Sequence, residues 1–162
     1  MTAKELLDIT ANGLIKKIKA NYGLCQFAIE RSKFEGWLKV ELIDTLLKNK
    51  IVAKPEVDRI DVSFQDTAIE LKTINTNYRF DNVENKIRPI TKNITGILKD
   101  ISDLKRKEIK NRFVVFIVFP VETSKPEWTF HINKVEKELS ELTFREFEFN
   151  NGIPSLIYYG KI

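Results

Sequence analysis

Apolar side chains return at helical spacing from residue 3 to residue 20, with Leu6, Leu7, Ile9, Leu14, Ile15 and Ile18 set among polar positions. Repeats of three and four residues put them on one face, which predicts a first amphipathic helix. Lys16, Lys17 and Lys19 give it a basic end, Gly13 weakens its middle and Asn21-Tyr22-Gly23 stops it. Residues 30–49 repeat the pattern more strongly. Phe34, Trp37, Leu38, Val40, Leu42, Ile43, Leu46 and Leu47 leave little polar girth, which predicts a largely buried helix. Ser32 followed by Glu35 has capping-box spacing. Glu41 falls among Phe34, Trp37 and Leu38 on the helical wheel, where a carboxylate needs a partner.

The period then changes from helical to alternating. Ile51-Val52-Ala53 predicts a short strand, interrupted by Pro55. Residues 59–73 alternate around the polar break Gln65-Asp66-Thr67, which predicts a β-hairpin. A turn centred between Gln65 and Asp66 sets Val62 opposite Ile69, Asp61 opposite Glu70 and Arg59 opposite Lys72. Because side chains alternate faces, Ile60, Val62, Phe64, Ile69 and Leu71 share a core face. The other face carries Asp61, Glu70 and Lys72. Residues 74–92 lack apolar periodicity and predict a long loop, a segment that often carries function.

Residues 92–111 return to helical spacing, with Ile94, Ile97, Leu98, Ile101, Leu104 and Ile109 on one side. The end is basic (Lys105, Arg106, Lys107, Lys110, Arg112), which suits the helix dipole or a phosphate. Phe113 to Phe119 is continuously apolar, as in a strand covered on both faces. Residues 127–142 predict a last helix, with Trp128, Ile132, Val135, Leu139 and Leu142 on one side. Phe144, Phe147 and Phe149, then Asn150-Asn151-Gly152, then Leu156 to Tyr159 predict a terminal hairpin. The fold class is therefore α/β: one domain over 1–162 with a mixed β-sheet sandwiched by α-helices. Neither repeats nor a linker break it.

Composition changes this picture little. A length of 162 residues, 43% of them hydrophobic, is enough for one real core. The lone Cys25 rules out an internal disulfide framework and points to a reducing, cytoplasmic setting. No apolar run approaches the roughly 20 residues that span a bilayer, so no membrane partner is expected. The net charge of +4 suits a polyanion such as nucleic acid. His131, the single histidine, has no serine or cysteine nucleophile near it in sequence, and reads as a surface or interface residue. Trp37 and Trp128 read as core aromatics. Zinc, Walker and dinucleotide motifs are all missing from the sequence.

The chemistry gathers on the polar hairpin face. Two carboxylates, Asp61 and Glu70, form the kind of oxygen set that holds Mg²⁺ or Mn²⁺ together with water and substrate phosphates, and the Leu71 carbonyl could add a ligand. Lys72 would reach the same phosphate and its attacking water. Directly after it, Thr73, Asn75, Asn77, Tyr78 and Arg79 offer hydrogen bonds and an aromatic ring to a phosphate backbone or a base. Arg88, Lys92 and Asn93 precede or open the next helix, whose start could receive a phosphate. A face whose three charges are accidental is the bland alternative.

The set Asp61, Glu70-Leu71-Lys72, with a glutamate on the preceding helix, resembles the PD-(D/E)XK nuclease superfamily. The order helix, strand, acidic hairpin, helix, buried strand resembles it too, over about residues 30–120, with the C-terminal helix and hairpin of 127–160 added. Ile60 stands where the superfamily often has proline. Asp58, a competing choice, alternates onto the face of Ile60 and Val62. The helix carboxylate is Glu41 or Glu35, with Glu41 the first choice because the capping box accounts for Glu35. The resemblance implies a restriction-endonuclease-like fold and Mg²⁺-dependent phosphodiester hydrolysis, usually of DNA. Catalytic Asp61, Glu70, Lys72 and Glu41 would act there, with metal on Asp61, Glu70 and Glu41. Restriction or defence would be the setting, and a homodimer would be one way to cut both strands. The alternative is a nuclease-fold subunit that binds nucleic acid or assembles without cutting.

Overall fold

The computed structural model describes residues 1–87 and 89–162. It is a single α/β domain in which five helices cover a mixed six-stranded sheet. Helix α1 (Ala3–Ala20) is followed at once by α2 (Tyr22–Ile29) and then by α3 (Glu35–Lys48). Strands β1 (Lys54–Val57), β2 (Ile60–Phe64) and β3 (Thr67–Asn75) form an antiparallel meander. Helix α4 (Ile90–Lys105) crosses back to β4 (Asn111–Phe119), which pairs parallel to β3. Helix α5 (Pro126–Glu136), β5 (Glu141–Glu148) and β6 (Pro154–Lys161) complete the chain, and the sheet order is β1-β2-β3-β4-β6-β5.

Two cores flank the sheet. Leu6, Leu14, Leu38 and Leu42 of α1 and α3 pack on Val62, Ile69, Leu71, Val115 and Ile117. Ile94, Ile97 and Ile101 of α4 and Trp128 of α5 pack on Ile74, Val114, Phe116 and Val118. This double covering explains the unbroken apolar run of β4, buried from Phe113 to Phe119.

The hairpin register is the expected one, with Val62 opposite Ile69. Arg59 differs: it has φ 64° in the turn that joins β1 to β2, beside Asp58 at φ 52°, so it does not pair with Lys72. The first strand also moves. It is Lys54–Val57 rather than residues 51–53, and Pro55 lies inside it, which an edge strand tolerates because half its N–H groups face solvent. Asn21 stops α1 as expected, but its side chain also accepts from the Leu24 N–H and so starts α2, which the apolar pattern did not reveal. Ser32 caps nothing: α3 begins at Glu35, after Phe34, without a side-chain cap. The helix expected at 92–111 spans Ile90–Lys105, and the last helix ends at Glu136, so that Leu142 belongs to β5. The terminal hairpin forms as β5 and β6.

Gly13, the weak point of α1, sits against α3. A Cβ there would lie 2.9 Å from Thr45 Cγ2, so glycine lets the helices approach. Deeper in this layer the Thr10 hydroxyl lies 2.7 Å from the Leu6 carbonyl and 2.8 Å from the fully buried Tyr159 hydroxyl. A hydroxyl has one proton. With Thr10 donating to Leu6, Tyr159 donates to Thr10. Thr10→Val would then strand a buried donor and is expected to cost about 2 kcal/mol. Tyr159→Phe removes the donor itself and should cost about 1 kcal/mol or less. Urea unfolding of the two variants compares them, and equal losses would refute the pairing.

Candidate functional site

Strand β3 lies inside the sheet, and of its nine residues only Glu70 and Lys72 are not buried. Charged side chains in a central strand are expensive to hold without partners, and the partners here are specific. The β2–β3 ladder runs from Phe64–Thr67 to Val62–Ile69. Beyond it, carboxylates rather than a neighbouring backbone take alternate N–H groups of β3. Asp61 Oδ2 accepts from the Leu71 N–H at 2.9 Å, and Glu35 Oε1 accepts from the Thr73 N–H at 3.1 Å. The Thr73 hydroxyl accepts in turn from the Phe34 N–H at 3.1 Å. The start of α3 is thereby docked onto β3, and three acids, Glu35, Asp61 and Glu70, lie along one stretch of strand.

Glu41 does not join them. Six residues past Glu35, it lies about 9 Å further along the helix and on another side. Its carboxylate pairs with Lys17 of α1 at 2.6 Å, and Lys17 also bonds Asp44. The choice of Glu41 over Glu35 is thus corrected. The capping role that set Glu35 aside is not formed, and the partner that Glu41 needed comes from α1.

Two lysines bind the acids. Lys39, one turn after Glu35, places Nζ 2.8 Å from Asp61 Oδ1 and 2.9 Å from Glu56 Oε1. Its bond to Asp61 raises Lys39 above its ordinary value. Lys72 Nζ lies 2.9 Å from Asp100 Oδ2 on α4. Burial would lower Lys72, but Asp100 outweighs it and raises the ammonium. Burial likewise works to raise Asp61, yet Lys39, the Leu71 N–H and Glu70 hold it below the usual carboxylate range. Glu70 goes the other way: burial, then the charge of Asp61 and the hydrogen bond to it, push it up to about 8. At neutral pH Glu70 therefore keeps its proton while Asp61 stays ionised.

Lys39 and Asp100 escaped the reading of the sequence. Both lie on amphipathic helices among other charges, and only tertiary contact distinguishes them. The remaining expected contacts divide. Thr73 and Asn75 are buried, and Asn75 accepts at its carbonyl from Asn93 Nδ2 at 2.9 Å. Tyr78 is buried, whereas Asn77, Arg79 and Lys92 are exposed. Arg88 lies outside the described residues. Part of the basic end of α4 is engaged within the protein: Arg112 Nη1 donates to the Lys105 carbonyl at 3.0 Å, and Lys105 pairs with Glu138.

A cleft of about 570 Å³ opens beside Glu70, between the β1–β2 turn and α4. Arg59, Lys99, Arg106 and Lys107 line it together with Asp100 and Asp103. Among the described residues, no three His, Cys, Asp or Glu side chains converge as a metal-ligand group. A cation at this site would therefore rest on Asp61 and Glu70, with water and phosphate oxygens completing its shell. That is how Mg²⁺ is usually held.

The Glu70 proton also sets a pH dependence. Glu70 is raised in the folded chain, from 4.5 to about 8. Between those values the folded protein holds a proton that the unfolded chain has released, so stability falls as pH rises across that window. The fall ends once folded Glu70 ionises. Asp61, lowered in the fold, contributes in the opposite sense and is lost only as the pH drops through its depressed value. The urea midpoint should decline between about pH 5 and about pH 8. It should decline less in Glu70→Gln, which has no proton to lose. Identical slopes in the two proteins would exclude a raised Glu70.

No family model, curated protein or solved structure matches the chain.

Proposed function

We propose that the chain is a divalent-metal-dependent nuclease with a restriction-endonuclease-like fold of the PD-(D/E)XK kind, hydrolysing phosphodiester bonds in DNA. The observation that carries this is the placement of Asp61, which accepts from the Leu71 N–H at 2.9 Å, against the stretch of β3 that carries Glu70, with Lys72 two residues further along the same strand. The succession α3, β1-β2-β3, α4, β4, with β4 parallel to β3, supports the fold half of the reading.

Asp61 and Glu70 would hold Mg²⁺ or Mn²⁺, and Glu35 lies beside them on Thr73. The bound ion would polarise the scissile phosphate and ease ionisation of a water. Glu70 would have to give up its proton to hold the cation, so binding would tighten as pH rises toward about 8. Lys72, held by Asp100, keeps an ammonium beside the charge that builds on the phosphate. Arg59, Lys99 and Lys107 line the way in and favour a polyanion.

One observation favours the second reading, a binding subunit of the same fold that does not cut. Lys39 already neutralises Asp61 from 2.8 Å. Calorimetric titration with Mn²⁺, run beside plasmid and oligonucleotide cleavage, separates the two. The nuclease reading expects saturable Mn²⁺ binding that Glu70→Ala abolishes, together with metal-dependent nicking. A flat titration and intact DNA and RNA would leave Lys39 as the permanent partner of Asp61 and overturn the enzymatic claim.

A further inference from the structure

A second cleft lies at the other end of α4. Strands β3 and β4 run parallel, and β5, antiparallel to β6, also runs parallel to β4. The helices that return between them, α4 and α5, therefore both start at the end of the sheet where β3 and β4 stop. Their N-termini carry partial positive charge and face the same space. A groove of about 720 Å³ opens there, lined by Tyr78, Arg79, Thr91, Lys125, Glu127 and His131 among others.

Helix ends alone would say little, but the groove has an unmet donor. Tyr78 is only 9% exposed, and its hydroxyl is buried without a partner among the described residues. The His131 Nδ1 atom is in the same condition. A buried hydroxyl in this state costs stability unless an acceptor reaches it. Lys125 Nζ sits 5.3 Å from the centre of the Tyr78 ring, so a cation stands above the aromatic wall. Tyr78 is itself fixed: its carbonyl accepts from Arg31 Nη2 at 2.6 Å and its N–H donates to the Thr76 hydroxyl. Burial and Lys134 lower His131, which favours a neutral ring. Among the described residues that line the groove, the fixed charges are Arg79 and Lys125 against Glu127, a net of one positive charge. One positive charge matches a phosphodiester, which carries one negative charge. A phosphomonoester, nearly dianionic at neutral pH, matches it less well.

We propose that this groove binds an internucleotide phosphodiester of a polynucleotide strand, at a site separate from the Asp61–Glu70 pair. Tyr78 and the helix ends donate to the phosphate oxygens, and Arg79 and Lys125 balance its charge. The proposal shares with the nuclease reading only its polynucleotide partner. It needs neither metal nor cleavage.

His131 is the single histidine of the chain, so its imidazole proton signals are identifiable in a proton NMR spectrum without assignment. The experiment titrates Asp61→Asn protein in EDTA, where no substrate can be cut. The probes are a short single-stranded oligonucleotide without terminal phosphates, its duplex, and inorganic phosphate. A saturable movement of the His131 signals with either nucleic acid is expected, and the responding form identifies the source of the diester. Tyr78→Phe, which keeps the ring in the core, should weaken binding about tenfold, and Lys125→Ala by a similar factor. Glu127→Gln should strengthen it. No movement with either nucleic acid, or movement unchanged in all three variants, overturns the proposal. Tighter response to inorganic phosphate than to the oligonucleotide overturns the diester assignment. A positive result with wild-type protein that cuts nothing in Mg²⁺ would sink the nuclease reading and leave this site standing.

Discussion

Asp61→Asn is expected to reduce metal-dependent DNA cleavage by about 1,000-fold or more, a loss of about 4 kcal/mol of transition-state stabilisation. Asparagine keeps the size of the side chain, and its carbonyl oxygen can still accept from the Leu71 N–H that Asp61 now holds at 2.9 Å. What it removes is the charge. Without it Glu70 keeps its burial but loses the neighbouring charge that also raises it, and the pair would no longer offer the proposed cation two anionic oxygens. Mn²⁺ titration should become flat while the circular dichroism spectrum stays that of the parent. Glu35→Gln should lower the rate about tenfold, because Glu35 stands on Thr73 beside the pair and loses only its charge. Glu41→Gln should leave the rate unchanged, since Glu41 spends its charge on Lys17. Cleavage that survives in Asp61→Asn, with metal binding intact, would exclude the assignment. So would an effect of Glu41→Gln equal to that of Asp61→Asn.

The hairpin was legible because a strand has a period of two. Once Gln65 and Asp66 are taken as the turn, every opposite pair is fixed, and Asp61 has to stand near Glu70. The buried strand β4 was legible from continuity alone, since no exposed strand carries seven successive apolar residues. Helix α2 was not. Its eight residues are too few for periodicity to show, and Asn21, which stops one helix and starts the next, reads only as a breaker. Strand β1 was hidden by Pro55 and by exposure at every position, because an edge strand need not alternate when nothing covers it. The helix carboxylate failed for a different reason. Glu35 had a local explanation, a cap for α3, and Glu41 had none. Local explanation was the wrong criterion, because Glu35 is engaged by the Thr73 N–H, a backbone group 38 residues away that the ladder leaves open. Lys39 and Asp100 likewise owe their importance to partners on other elements, and charge on a helix surface is too common to mark them.

The largest loss of stability is expected at Arg31, which is 1% exposed and stands at φ 53° after α2. Its guanidinium donates to three main-chain carbonyls: Glu84 at 2.7 Å, Thr76 at 2.6 Å and Tyr78 at 2.6 Å. These carbonyls belong to the stretch between β3 and α4, whose described residues form no strand or helix that would satisfy them. One side chain thus does for 76–84 what a sheet neighbour would do for a strand. Arg31→Ala leaves the carbonyls without those donors in a closed interior, and about 3 kcal/mol or more should be lost. For a chain of this length that lowers the thermal midpoint by about 6–12 °C. Arg31→Lys should recover little, because an ammonium is a point charge and cannot span three carbonyls as a planar fork does. The consequence would reach the proposed phosphodiester groove through Tyr78, whose carbonyl is one of the three. A melt of Arg31→Lys within about 2 °C of the parent would show that 76–84 is held by other contacts. A large shift, with Tyr78→Phe close to the parent, would make Arg31 the anchor of the loop and Tyr78 a residue kept for what it binds.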